Sequence, residues 1–174
     1  NDDGSVNISN VGGIVGHLDN SNVSSVINAG TIYGEKSTGG LVGNVNNDTM
    51  PTNTKTLANS YNKGQVSGID NTGGIAGEAT NASFDTVYNT NEASTLSGNL
   101  AALNTGNAAI KAYYVGSQNQ SKSGKITGTG QNTGGLVGLA ENTTIDKAYN
   151  AGNVTGTTNT GGLVGQMTGA SSKI

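Results

Sequence analysis

One histidine and one glutamate occupy matching positions in this chain and are the residues whose types could jointly hold a metal ion. His17 and Glu78 each follow a five-residue Gly-Gly-(Leu/Ile)-(Val/Ala)-Gly phrase, and other copies of the phrase precede Asn44, Leu139 and Gln166. If the phrases stack as strands, His17 and Glu78 lie two layers apart, which is about 9.6 Å. A shared ion needs ligands at roughly 2.0 to 2.6 Å. We therefore expect no metal site here and place both side chains on the solvated surface.

The other acidic residues form no recognisable reactive group. Asp19 with Asp2 and Asp3 departs from the nonapeptide calcium repeat, and the segment around Lys125 lacks the upstream glycine and the hydroxyl residue of a phosphate loop. Catalytic β-helices place carboxylates, bases or both on one exposed face. Here the 11 acidic residues are scattered. The sequence predicts no catalytic residue, no metal ligand and no cofactor.

The glycine phrase divides the chain into repeats. It occurs at Gly12 to Gly16, Gly39 to Gly43, Gly73 to Gly77, Gly134 to Gly138 and Gly161 to Gly165. Successive copies start 27, 34, 61 and 27 residues apart. Since 61 equals 27 plus 34, we interpret the long interval as two units. One of them, at about 97–128, has kept its length but lacks the glycine phrase. Residues 1–174 are then a single repeat segment of a larger protein.

Composition permits only a thin core. Apolar residues make up 32% of the chain, with six Tyr, one Phe and no Trp. The net charge of -3 and the absence of Arg argue against a nucleic-acid partner. No apolar run reaches the 18 or more residues of a membrane span. Without Cys the chain has neither disulfides nor thiolate metal sites.

Each unit contains three short extended segments bounded by turn residues. In the clearest copy they run over about 135–140, 144–150 and 153–157. Recurrent Gly disfavours a helix by about 1 kcal/mol at each position. Three strands in 27 residues match one coil of a parallel β-helix. We predict an all-β, right-handed parallel β-helix of about five to six coils, stacked over roughly 25 to 30 Å.

Equivalent positions should stack into rows. The first segment supplies a row assigned to the interior, and the third supplies a second core row. The first row is Ile14, Leu41, Ile75, Leu136 and Leu163, and the second is Ile32, Val66, Ile126 and Val154. The glycines two residues after the second row, such as Gly68, are expected to turn the corner with φ > 0.

One apolar row has two open interpretations. Val15, Val42, Ala76, Val137 and Val164 follow the first core row, so strict alternation would turn them outward. Either a bulge at the next glycine turns them inward, or they form an apolar stripe that packs against something else.

The second segment ends in a repeated Tyr-Asn pair. The pairs are Tyr61-Asn62, Tyr88-Asn89 and Tyr149-Asn150. Exposed Tyr residues could stack on sugar rings, but side chains that recur with the repeat indicate a structural ladder, with Asn amides pairing along the stack.

The unit resembles a known repeat. Residues 149–156, Tyr-Asn-Ala-Gly-Asn-Val-Thr-Gly, followed by Thr-Gly-Gly-Leu-Val-Gly at 160–165, are similar to the GLUG motif. That motif is typical of filamentous-haemagglutinin-like adhesins and of repeat regions in immunoglobulin A-cleaving metallopeptidases. The resemblance implies a right-handed β-solenoid on the bacterial surface or secreted, with no catalytic residues.

We therefore expect a non-enzymatic stalk or adhesion module, stacked on other coils of its parent chain, with a host-surface glycan or protein as its candidate partner. Two alternatives are a carbohydrate-active or carbohydrate-binding β-helix and an ice- or crystal-surface-binding solenoid. The second is suggested by Thr155 to Thr158, but the matching Tyr33, Ser67 and Thr127 are irregular. The irregular residues 98–124 are expected to leave the coil path and to form the most distinctive surface.

The inward assignment yields a test. Leu136→Asp should lower the thermal unfolding midpoint far more than Leu139→Asp, because a buried, unpaired carboxylate is costly and a solvated one is not. Equal losses in the two variants would refute the assignment.

Overall fold

The computed structural model describes residues 8–48, 54–90 and 124–174, and the regular structure in these ranges consists of β-strands. The strands form four parallel sheets, which we name A to D. Sheet A contains β1 (Ser9–Gly12), β6 (Lys36–Gly39), β10 (Asp70–Gly73), β14 (Gln131–Gly134) and β19 (Thr158–Gly161). Sheet B contains β2 (Val15–Asp19), β7 (Val42–Asn46), β11 (Ala76–Thr80), β15 (Val137–Glu141) and β20 (Val164–Thr168).

The other two sheets are built from the remaining strands. Sheet C contains β3 (Val23–Ser24), β4 (Ile27–Asn28), β8 (Leu57–Asn62), β12 (Ser83–Asn89), β16 (Thr144–Asp146) and β17 (Tyr149–Asn150). Sheet D contains β5 (Ile32–Tyr33), β9 (Val66–Gly68), β13 (Ile126–Gly128) and β18 (Val154–Thr155). The chain visits A, B, C and D in turn and then returns to A beside its previous strand. This all-β arrangement of parallel, stacked strands is consistent with a β-solenoid.

Strand pairing joins equivalent positions of successive repeats. In sheet A, Thr72 pairs with Thr133 and Gly73 pairs with Gly134. The same register continues between the strands, where Ile75 N donates to Leu136 O at 2.8 Å and Leu136 N donates to Leu163 O at 2.8 Å. Each layer therefore places its side chains directly on those of the next.

The structure has four strand positions per unit, whereas the sequence suggested three. The additional strand is the one in sheet A, which includes Thr158 and Asn159. The sequence predicts a turn at these residues, because Asn and Thr between glycines are typical of turns. Asn159 does adopt left-handed backbone geometry, with φ of 50°, and so does Asn132 with φ of 55°. Asn tolerates this conformation better than most residues, so the strand can bend at Asn and still pair on either side.

The interpretation of the 61-residue interval as two units is wrong. Strand β10 pairs directly with β14, and β11 pairs directly with β15, so no layer lies between them. The added length enters at one corner instead. Asn62 Nδ2 donates to Gly64 O at 2.9 Å across a single intervening residue, and Asn89 Nδ2 makes the same contact with Gly124 O at 2.8 Å. Thr90 and Gly124, which flank residues 91–123, therefore belong to one and the same layer.

The predicted irregular unit at about 97–128 falls largely outside the described residues. Its last part is regular, because Ile126 pairs with Val66 in sheet D and Gly128 pairs with Gly68. The 34-residue interval also has extra length at a corner. Eleven positions separate Asn46 from Leu57, whereas four separate their partners Thr80 and Phe84. Differences in repeat length thus arise at the corners and leave the layers aligned.

Apolar side chains fill the space between the sheets. Fully buried residues include Leu41, Ile75 and Leu136, with Phe84 and Val87 from sheet C. The units at both ends of the described stack are more exposed, because each has a neighbour on one side only. No helix in the described parts of the chain is long and apolar enough to cross a membrane.

The register predicts the effect of a deletion. Removing residues 91–123 would join Thr90 to Gly124 and copy the Asn62-Lys63-Gly64 corner. Thr90 N already donates to Asn62 O at 2.9 Å, as Lys63 N does to Asn28 O at 2.9 Å. We expect the shortened chain to keep its strand circular dichroism and its cooperative thermal unfolding. Loss of cooperative folding would show that the layers on either side are not direct neighbours.

Candidate functional site

The first predicted core row lies inside the stack. Leu41, Ile75 and Leu136 have no exposed surface. Ile14 is 43% exposed and Leu163 is partly buried, and these two belong to the end units. Burial of this row therefore depends on a neighbouring layer on each side.

The Val row also faces inward. Val42, Ala76 and Val137 are completely buried, and Val15 and Val164 pack against the same core. Val42 and Val45 are both interior although they stand three positions apart, so alternation is interrupted at the intervening Gly43. A Cβ added at Gly43 would lie 2.3 Å from the carbonyl carbon of Asn10. The glycine row thus lets a strand of sheet A approach sheet B closely, and the other interpretation, an outward apolar stripe, is excluded.

The second core row occupies sheet D. Val66 is 1% exposed and Ile126 is fully buried, whereas Ile32 and Val154 in the end units are partly buried. The glycines two residues after this row were predicted to have positive φ, and this prediction is wrong. Among the described glycines, only Gly124 and Gly169 have positive φ. The role of the glycines after the row is spatial, because a Cβ at Gly68 would lie 2.3 Å from Thr72 Oγ1.

The Asn residues of the Tyr-Asn pairs form a continuous buried ladder. Asn28 Nδ2 donates to Asn62 Oδ1 at 2.8 Å, Asn62 Nδ2 to Asn89 Oδ1 at 2.9 Å, and Asn89 Nδ2 to Asn150 Oδ1 at 2.7 Å. Each amide also holds its own corner. Asn62, for example, accepts from Gly64 N at 3.1 Å and donates to Gly64 O at 2.9 Å. The ladder therefore satisfies buried backbone groups and links successive layers at the same time.

The Tyr residues of the pairs are stacked in register. Tyr61 pairs with Tyr88 and Tyr88 with Tyr149 along sheet C. The rings of Tyr88 and Tyr149 have centroids 4.7 Å apart and are tilted by 35°. Tyr88 has no exposed surface, and its burial raises its pKa to about 12, with the Thr86 hydroxyl opposing the shift. At Tyr88 no ring face is available to a sugar.

His17 and Glu78 are separated by a layer. His17 pairs with Asn44, and Asn44 pairs with Glu78, so the two do not meet. His17 is exposed, as expected, but Glu78 is not simply solvated. Its Oε2 accepts from Ser37 Oγ at 2.9 Å and from Asn71 Nδ2 at 3.2 Å.

Glu78 ends a second amide ladder, which the sequence did not reveal. Asn159 Nδ2 donates to Asn132 Oδ1 at 2.8 Å, and Asn132 Nδ2 donates to Asn71 Oδ1 at 2.8 Å. Asn71 then donates to the Glu78 carboxylate. All three Asn residues have positive φ, between 48° and 55°. The recurrence of Asn before Thr-Gly-Gly was the available signal.

Sheet C also holds a charged cluster that the sequence pattern did not predict. Asp85 is 8% exposed and forms ion pairs with Lys55 and, at 3.6 Å, with Lys147. Lys55 and Lys147 precede and follow Asp85 by one layer, so the cluster spans three layers. Lys55 lies in the longer corner, where the repeat spacing gives no guide to its position.

The described residues contain no group of three or more His, Cys, Asp or Glu that could hold a metal ion. Asp2 and Asp3 lie outside the described residues, and so does most of the proposed surface at residues 98–124. What the structure brings together instead are amide, hydroxyl and tyrosyl side chains in rows that run across the layers. Such rows can hold layers in register.

Comparison with known proteins places the chain in no family: no family model, curated protein or solved structure matches it. The similarity to the GLUG motif therefore depends on the repeated residues alone.

The buried ladder predicts a large difference between two Asn substitutions. Asn62→Ala should lower the free energy of unfolding by about 3 kcal/mol, because it removes one of the two acceptors of Asn28 Nδ2, the amide that donates to Asn89 Oδ1 and both side-chain contacts to the Gly64 backbone. Asn44→Ala, on the half-exposed outer face of sheet B, should cost less than about 0.5 kcal/mol. Denaturant unfolding measures both values. Similar losses would contradict a stabilising role for the ladder.

Proposed function

We propose that this chain is a right-handed β-solenoid segment of about five to six coils that serves as a non-enzymatic stalk or adhesion module of a bacterial surface or secreted protein. The observation that carries the proposal is the register. Equivalent residues pair from layer to layer in all four sheets, including across the insertion between Asn89 and Gly124.

The proposed mechanism is mechanical. Backbone hydrogen bonds join each layer to the next in four sheets, and the Asn28–Asn150 ladder adds bonds at a corner. In a stack of this kind each unit is stabilised mainly by its nearest neighbours, so further units extend the structure without a larger core. Coils of a parent chain would continue the stack in the same way.

The outer face supports a role that tolerates varied surface chemistry. The outward row of sheet B reads His17, Asn44, Glu78, Leu139 and Gln166, while the row beneath it is apolar in every unit. Packing constrains the inner row, whereas the outer row differs from unit to unit, and of its members Glu78 is held by Ser37 and Asn71. A host-surface glycan or protein is the partner class that the GLUG resemblance suggests, and the same resemblance suggests the extracellular location.

A stalk of stacked units should unfold in parts under load. We expect single-molecule pulling from the two ends of the chain to release regular units separately, each of about 27 residues and roughly 90 to 95 Å of extended chain. Asn62→Ala should lower the force of the events on either side of its layer, and Asn44→Ala should leave them unchanged. A single event that releases the whole chain at low force would contradict a load-bearing role.

A further inference from the structure

Strand β12 is the strand that leads the chain to residues 91–123. Among the described strands of sheet C it is the longest, with seven residues, and its residues from Phe84 to Asn89 are all buried. In the neighbouring β8 and β17, exposed or partly buried residues occupy several of the matching positions. Because Thr90 follows β12 directly, a pull on residues 91–123 that is carried by the preceding chain reaches β12 first.

Neutral side chains tie the end of β12 to the layers on both sides. Asn89 accepts from Asn62 Nδ2 at 2.9 Å and donates to Asn150 Oδ1 at 2.7 Å. Tyr88 is paired in register with a Tyr of each adjacent layer. These contacts belong to ladders that continue along the sheet, so they hold β12 in the same way as they hold its neighbours.

Asp85 adds a charged tie in both directions. Its carboxylate forms an ion pair with Lys55 of the preceding layer and another, at 3.6 Å, with Lys147 of the following layer. Thr86 Oγ1 also donates to Asp85 Oδ1 at 3.1 Å. Asp85 is 8% exposed, so a shift of β12 away from either neighbour would leave a largely buried carboxylate with one cation fewer.

The equivalent positions of the other layers lack this arrangement. Ser24 and Ala58 occupy the position in the two preceding layers and are uncharged. Asp146 occupies it in the following layer, where its side chain is 64% exposed and its contact with Lys147, at 3.8 Å, stays within its own layer. Among these four positions, a buried carboxylate with a cation on each side is therefore specific to β12.

The lysine partners make the charged tie sensitive to salt. The side chains of Lys55 and Lys147 are 54% and 52% exposed, so dissolved ions can reach both ammonium groups. Such ions screen charges beyond about 10 Å at 0.1 M salt and beyond about 3 Å at 1 M. The amide and tyrosyl contacts of β12 carry no charge and lack this dependence.

We propose that Asp85 is an electrostatic anchor, which holds β12 between its two neighbours against a pull applied through residues 91–123. The inference rests on the proposed stalk or adhesion function, and it names the strand at which the pull of a bound partner would be resisted. The resistance of this anchor decreases as the ionic strength rises.

Single-molecule pulling on β12 tests the anchor directly. Thr80→Cys and Ser97→Cys provide the two attachment points, since the chain has no Cys of its own, and they place only the segment that contains β12 under tension. At constant force, Asp85→Asn should shorten the lifetime of β12 in sheet C about tenfold, because it removes the charge and keeps the side-chain shape. Asp146→Asn, the same substitution at the paired position one layer away, is the matched control and should change the lifetime less than about twofold.

Salt dependence distinguishes an electrostatic anchor from a merely structural residue. In the two-cysteine chain that keeps Asp85, raising NaCl from about 50 mM to about 1 M should shorten the lifetime about tenfold, whereas the lifetime of the Asp85→Asn variant should not change. A salt-independent lifetime in the chain that keeps Asp85 would overturn the proposal, and it does so even if Asp85→Asn fails to fold. Equal losses of lifetime in Asp85→Asn and Asp146→Asn would overturn it as well.

Failure of the anchor and failure of the proposed function give different results. If the chain is not built to resist a pull, pulling from its two ends gives the single low-force event described above, whatever residue stands at position 85. If only the anchor is wrong, end-to-end pulling still releases the units separately, while the lifetime of β12 depends neither on salt nor on Asp85.

Discussion

Parallel backbone pairing between equivalent positions of successive repeats is the interaction on which the rest of this structure depends. Once Gly73 lies beside Gly134 and Ile75 beside Leu136, every side chain must tolerate its own counterpart one layer away. Leu, Ile and Val can do this in a thin core because like residues stack without gaps. Glycine is required where backbones of sheets A and B approach, since a Cβ at Gly77 would lie 2.3 Å from the carbonyl carbon of Ser37.

The same constraint explains the frequency of Asn. Asn62 and Asn89 occupy a buried corner, where a carboxamide can accept from one neighbour and donate to the next without charge. Asn71 and Asn132 combine a second amide ladder with a left-handed backbone, with φ of 48° and 55°. A composition that could indicate disorder is thus the consequence of positions that need both properties.

Much of the interior could be predicted because repetition converts sequence spacing into contacts. The row of Leu41, Ile75 and Leu136 and the Tyr-Asn stacks follow from that rule alone. The strand of sheet A could not be recognised, because the sequence Asn-Thr-Gly is typical of a turn. It belongs to a strand here because its Asn adopts left-handed backbone geometry within the strand. The long interval was misread because a length of 61 residues fits two units as well as one unit with an insertion, and only the pairing of β10 with β14 distinguishes them. The ion pairs of Asp85 could not be predicted, because they depend on a lysine in an irregular corner, whose position does not recur with the repeat.

The central claim is that the layers on either side of residues 91–123 are direct neighbours. Thr80 and Glu141 are paired across that boundary on the outer face of sheet B, and Asn46 lies one layer further away. Since the chain has no Cys, a Thr80→Cys/Glu141→Cys variant reports this contact without background. Oxidation followed by peptide mass spectrometry should find a disulfide within one chain, because adjacent strands lie about 4.8 Å apart and a disulfide spans Cα atoms up to about 6.8 Å apart. The Asn46→Cys/Glu141→Cys variant should form none. A disulfide in the second variant and not in the first would contradict the stacking described here.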